Sequence, residues 1–208
     1  MKNYLWMILF CILLLTDTLF AQDYFKVRWV DDGDTIVLVD GRRVRYIGIN
    51  APEIAHKDRK AEPYGNSAKR FNKSLLLSKK IRIEFDKEKS DRYGRVLAYV
   101  YLADNTFVNL KMLEAGLAYY YPHSLNHKYK ELFLKTQRKA MKTKHGIWKR
   151  LDQKGLMVIG NRKSRRFHSE TCRYGKHIKQ TNRVILLNRW KAFWEGFAPC
   201  KKCQGSGV

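Results

Sequence analysis

The segment from Asp31 to Glu53, DDGDTIVLVDGRRVRYIGINAPE, restricts the fold more than any other stretch of the chain. Ile36 and Leu38 define one period-two run, Val44 and Tyr46 a second, and Asp40-Gly41 lies between them. An Asp-Gly pair supplies the positive-φ turn that suits strand twist, so this pattern predicts a β-hairpin. Asp32-Gly33-Asp34 stands at the start of the hairpin, Arg45 on its return strand, and Asn50-Ala51-Pro52-Glu53 at its exit, where the proline enforces a bend. Oxygen donors at both ends of a hairpin, with an arginine between them, can hold a hard cation next to a phosphate.

The rest of the chain supplies partners for the hairpin. Strand patterns cover Tyr24–Val30, Thr35–Val39, Arg43–Ile49, Ile81–Phe85 and Arg95–Leu102. Helical spacing covers Tyr64–Lys79, Asn109–Ala118 and His127–His145, the last closed by Gly146. Five short strands with three packed helices predict an α+β fold built on a five-stranded OB-fold β-barrel. Residues 1–21 read as an export signal, with an uncleaved anchor as the alternative. The barrel domain is then 22–150, a linker 151–156, and a small basic α+β module 157–208. The working compartment is extracytoplasmic, periplasm or medium, with no stable membrane association once the signal is cleaved.

The 42 Lys and Arg against 19 Asp and Glu leave a net charge of +23. Such an excess favours a polyanion, since neutralising phosphates releases counterions. The alternative is a solubility feature of a basic secreted protein.

Three motifs occur in order: Asp32-Gly33-Asp34-Thr35, Arg45 with Asn50-Ala51-Pro52-Glu53, and Asp91-Arg92-Tyr93-Gly94-Arg95. With the closing Gly146-Ile147-Trp148 they resemble the staphylococcal nuclease (thermonuclease) family over about residues 24–149. The resemblance implies a calcium-dependent hydrolysis of phosphodiester bonds in DNA or RNA by a monomer. It makes Asp34, the Asn50 side chain and the Ala51 carbonyl calcium ligands. Arg45 and Arg95 grip the phosphate, and Glu53 orients or deprotonates the attacking water. Tyr93, Tyr119 and Tyr121 are candidates for stacking on a nucleotide base, with core packing as the alternative. Asn50 departs from the family aspartate; its amide oxygen brings no charge, which predicts weaker calcium binding. A nucleic-acid-binding module that has lost catalysis is the rival reading, against which the intact trio Arg45, Glu53 and Arg95 stands.

His168 and Cys172 are spaced H-x3-C, and Cys200 and Cys203 form C-x2-C. Four such ligands in two close pairs predict a tetrahedral structural zinc site. With Cys11 inside the export signal, a disulfide with one free thiol, or three reduced thiols, are the alternatives for the mature exported chain. Gly196-Phe197-Ala198-Pro199-Cys200-Lys201-Lys202-Cys203 resembles the metal-binding domain of the Ada DNA-repair protein. His168 stands where that domain has its methyl-accepting cysteine, so methyl transfer is not implied. A zinc module that binds DNA or braces the protein is.

Overall fold

The computed structural model describes residues 23–56, 60–77, 79–151 and 153–203; the export signal expected at 1–21 lies outside them. In chain order the first part contains β1 (Phe25–Val30), β2 (Thr35–Leu38), β3 (Arg43–Tyr46), β4 (Ile49–Asn50), α1 (Gly65–Leu76), β5 (Lys80–Glu84), β6 (Val96–Leu102), α2 (Val108–Glu114), β7 (Tyr119–Tyr120) and α3 (Lys130–Lys142). The expected OB-type barrel is present: β1-β2-β3-β6-β5 closes on itself. Its neighbours run antiparallel except β3 and β6, which pair in parallel with Val44 opposite Val96, Arg45 opposite Leu97 and Tyr46 opposite Ala98.

Alternate strand positions supply part of the interior, while β2 and most of β6 are buried on both faces. Ile36, Leu38, Val44, Tyr46, Ile81, Ala98 and Val100 are buried in one cluster, and each large aliphatic side chain in it stabilises the fold by roughly 1.5–3 kcal/mol. The strand expected to run unbroken from Arg43 to Ile49 is in fact two strands, β3 and β4. Gly48 divides them at φ +76, and a Cβ there would come within 2.5 Å of the Phe133 ring on α3. The chain turns so that β4 leaves the barrel and pairs with β7, Asn50 opposite Tyr119.

The C-terminal part contains β8 (Val158–Asn161), β9 (Arg166–His168), α4 (Arg173–Lys176), β10 (Arg183–Leu186), α5 (Arg189–Trp194) and β11 (Ala198–Pro199). Its sheet has the order β10-β8-β9-β11. Its apolar core is not its own. Val158, Phe167, Leu186, Phe193 and Phe197 share one cluster with Tyr119, Ala140, Met141, Ile147 and Trp148 from the preceding part. Phe193 meets Tyr119, Trp148 and Phe167 edge to face, each at 5.2 Å between ring centres. The junction is also hydrogen-bonded. Buried Gln137 on α3 donates to the Phe193 carbonyl (2.7 Å) and accepts from the Tyr120 amide (2.6 Å), while Arg138 donates to the Trp194 carbonyl (2.9 Å). Among the described residues no helix is long and apolar enough to cross a membrane.

Candidate active site

The loop between β1 and β2 forms one wall of the site. The Asp34 amide donates to Asp32 Oδ1 (2.9 Å), a local bond that bends the loop around Gly33. A Cβ on Gly33 would lie 2.5 Å from Ala51 and 2.7 Å from Ala68, so only glycine lets this loop approach the exit of the hairpin and α1. From α1, Asn72 accepts from the Tyr46 hydroxyl (2.9 Å) and donates to the Asp32 carbonyl (3.1 Å), fixing the loop against the barrel.

These contacts aim Asp34 inward. Its Oδ2 accepts from the Ala51 amide at 2.6 Å and lies 2.8 Å from Arg45 Nη2; Thr35 Oγ1 donates to its other oxygen at 3.2 Å. Burial pushes the Asp34 carboxyl up to about 7, against the pull of Arg45 and with the push of Asp32. Arg45 spends its other donors on the carbonyls of Tyr46 and Ile49 and on Asn50 Oδ1, all at 3.0 Å. The Asn50 amide then donates to the Ala51 carbonyl and to the Tyr119 hydroxyl, both at 3.0 Å.

Asp34, Arg45, Asn50, Glu53 and Arg95 line one cleft of about 320 Å³. The parallel pairing of β3 with β6 brings Arg45 and Arg95 to the same end of the barrel. Arg95 is held by Asp91, at 2.8 Å through Nε and 2.7 Å through Nη2. Glu53 lines the same cleft, partly exposed, and its backbone amide donates to Glu62 at 2.8 Å. The atoms that Asp34, Asn50 and the Ala51 carbonyl could offer a cation are all oxygens, at present engaged by Arg45 and neighbouring amides, and a buried carboxylate whose charge burial opposes is the kind of group a divalent cation relieves. The residues present therefore fit a hard ion such as calcium.

The three tyrosines separate. Tyr93 is 69% exposed at the cleft, with Arg92 4.9 Å and Arg95 5.6 Å from its ring centre. Tyr121 lines the cleft with Arg166 3.8 Å from its ring centre. Tyr119 is fully buried, its ring against Phe193 and its hydroxyl on Asn50, so no base can reach its face. Its ring packs in the core shared by the two parts of the chain.

The staphylococcal nuclease homologue family matches residues 43–150, about half of the chain. The chain belongs to that family. It is 41% identical over 129 residues to the thermonuclease of Staphylococcus intermedius, covering 61% of this chain and 76% of that protein. It is 40% identical over 122 residues to the endonuclease YncB of Bacillus subtilis, covering 56% and 57%. It is 32% identical over 155 residues to an uncharacterized endonuclease of Escherichia coli, covering 73% and 93%. The protein is a nuclease, a hydrolase acting on nucleic acid.

Two features of this nuclease's site were absent from the sequence reading. Asp91 serves as the tether of Arg95, for which the four-residue spacing inside Asp91–Arg95 was a usable signal. Lys201, from the C-terminal part, lines the same cleft, and nothing in the sequence connects it with Glu53, 148 positions earlier.

The nuclease also carries a second cluster. One ligand atom from each of His168, Cys172, Cys200 and Cys203 lies within 4.8 Å of all the others, and His168 Nδ1 is 3.4 Å from Cys172 Sγ. β9 supplies His168, the start of α4 Cys172, and the turn after β11 the other two. Burial first, then the Arg166 guanidinium, hold His168 below its usual range, leaving the neutral imidazole that a metal requires. Three thiols and an imidazole so close together, all but Cys203 buried, fit zinc.

Proposed function

We propose that this nuclease is an exported, monomeric, calcium-dependent phosphodiesterase that cleaves DNA, with RNA as a second polymer. In this reading its C-terminal part is a zinc-braced module that assists DNA binding. The observation that carries the reading is the convergence of Arg45, Glu53 and Arg95 with Asp34 in one cleft. A protein that only binds nucleic acid has no need for a carboxylate base in one cleft with two phosphate-gripping guanidiniums.

Asp34, Asn50 and the Ala51 carbonyl would hold the calcium, which would neutralise charge on a bound phosphate. Arg45 and Arg95, planar and doubly donating, would grip the phosphate oxygens and stabilise the charge that grows as water adds. Glu53 would take the proton of the attacking water. Asp91 positions Arg95, and Tyr93 beside it offers an exposed face to a base. His168, Cys172, Cys200 and Cys203 would hold zinc in a closed structural set with no open position for chemistry.

Cleavage of end-labelled DNA with calcium, with calcium removed by EGTA, and with Glu53→Gln tests this. Removal of a general base is expected to slow cutting by about 10²–10⁴-fold. If wild type and Glu53→Gln cut at equal rates, Glu53 is not the base.

A further inference from the structure

We infer that Lys201, carried on the turn between Cys200 and Cys203, is a substrate-phosphate contact of the nuclease cleft. The C-terminal module would thus complete the active site instead of merely trailing it. The inference rests on the cleft around Arg45, Glu53 and Arg95 being where DNA is cut. Lys201 Nζ lies 4.0 Å from Glu53 Oε1 and 5.8 Å from the centre of the Tyr121 ring, and the residue lines the cleft.

The turn that carries it is anchored. Pro199 pairs in parallel with Phe167, and the Cys200 amide donates to the Phe167 carbonyl at 2.9 Å. The next residue back on that strand, Arg166, covers Tyr121 and donates to the Pro122 carbonyl at 3.1 Å. The cysteine turn is therefore fastened to the wall of the cleft by backbone pairing on one side and by an arginine on the other.

Charge and availability then decide its use. Among the described residues lining the cleft, four carboxylates face three guanidiniums, and Lys201 levels that balance for an entering polyanion. Arg45 and Arg95 sit in short ion pairs at 2.8 and 2.7 Å. Lys201 stands at the outer limit of ion pairing with Glu53, and its side chain is 55% exposed. An ammonium on a flexible stem held that loosely can leave the carboxylate for a phosphate next to the scissile one.

The test compares Lys201→Gln with Lys202→Gln, its exposed neighbour, and with Lys201→Arg. Equilibrium binding of a DNA duplex is measured by anisotropy over a salt series, in calcium-free buffer with zinc present. Loss of one phosphate contact lowers the slope of log K against log salt by about 0.9. The expected result is that change for Lys201→Gln alone, restoration by Lys201→Arg, and a several-fold rise in KM for DNA with kcat nearly unchanged. An unchanged slope, an equal change in Lys202→Gln, or a fall in kcat at constant KM overturns the assignment. Failure of the underlying reading shows separately, as undiminished cutting by Glu53→Gln, while the salt slopes still report on Lys201.

Discussion

Phe193→Ala is the most informative single perturbation, because one ring on α5 joins the two parts of the chain. The ring is fully buried and meets three other aromatic rings, two of which, Tyr119 and Trp148, belong to the segment shared with the nuclease family. Truncating a buried phenylalanine costs about 3–5 kcal/mol, from lost transfer energy and the cavity left behind. For a chain of this size each kcal/mol moves the melting temperature by about 2–4 °C, so the variant should melt roughly 6–20 °C lower. The assay is calorimetry in zinc-containing buffer, run beside residual DNA cleavage after heating. Both profiles are expected to fall together. A melt in two steps, with cleavage lost at the wild-type temperature, would show that the barrel does not depend on the tail and would refute the shared-core argument.

Other outcomes follow from the site. Burial raises the Asp34 carboxyl from 3.8 to about 7. A group raised in the folded state contributes stability that is full below its unfolded value and is lost as pH rises through about 7. Calcium would offset that loss, so the rise in melting temperature on adding calcium should be larger at about pH 8 than at about pH 6. Tyr119→Phe leaves a buried Asn50 donor one partner short and should cost about 1–3 kcal/mol in denaturant titration. It should not weaken binding of single-stranded DNA, whereas a stacking residue would. Arg95→Lys keeps the charge but loses the planar fork on Asp91 and phosphate, and kcat/KM should drop while the fold, read by circular dichroism, stays intact. Elemental analysis should find one zinc per chain, and Cys200→Ser should abolish it; one free thiol in the denatured, unreduced chain lacking residues 1–21, and so lacking Cys11, would instead mean a disulfide.

Much of the barrel was legible because its signals are local. The Asp40-Gly41 turn sets the register of β2 on β3, and the alternation of Ile81 and Ile83 with Arg82 and Glu84 marks β5. The candidate site residues stand in contiguous motifs and could be named without knowing the fold. What was not legible depends on distant partners. The break at Gly48 is set by the Phe133 ring, 85 positions further on. Three successive tyrosines carry no period. Tyr119 and Tyr120 are both buried because β7 lies between two cores, the barrel on one side and the shared cluster on the other. The ion pair of Arg45 with Asp34 and the reach of Lys201 into the cleft likewise follow from packing, which spacing along a chain does not encode.

The parallel pairing of β3 with β6 also has a meaning for how the molecule comes to be active. It joins residues about fifty positions apart, Arg45 opposite Leu97, whereas the β2–β3 hairpin closes over a few residues. Distant pairings bear the larger loop-closure cost and tend to form late. The hairpin carrying Asp34 and Arg45 can form on its own, but Arg95 joins it only when the barrel shuts. Regain of cleavage during refolding should therefore lag formation of the hairpin and follow the pairing of β3 with β6, which makes the enzyme's own activity a clock for that step.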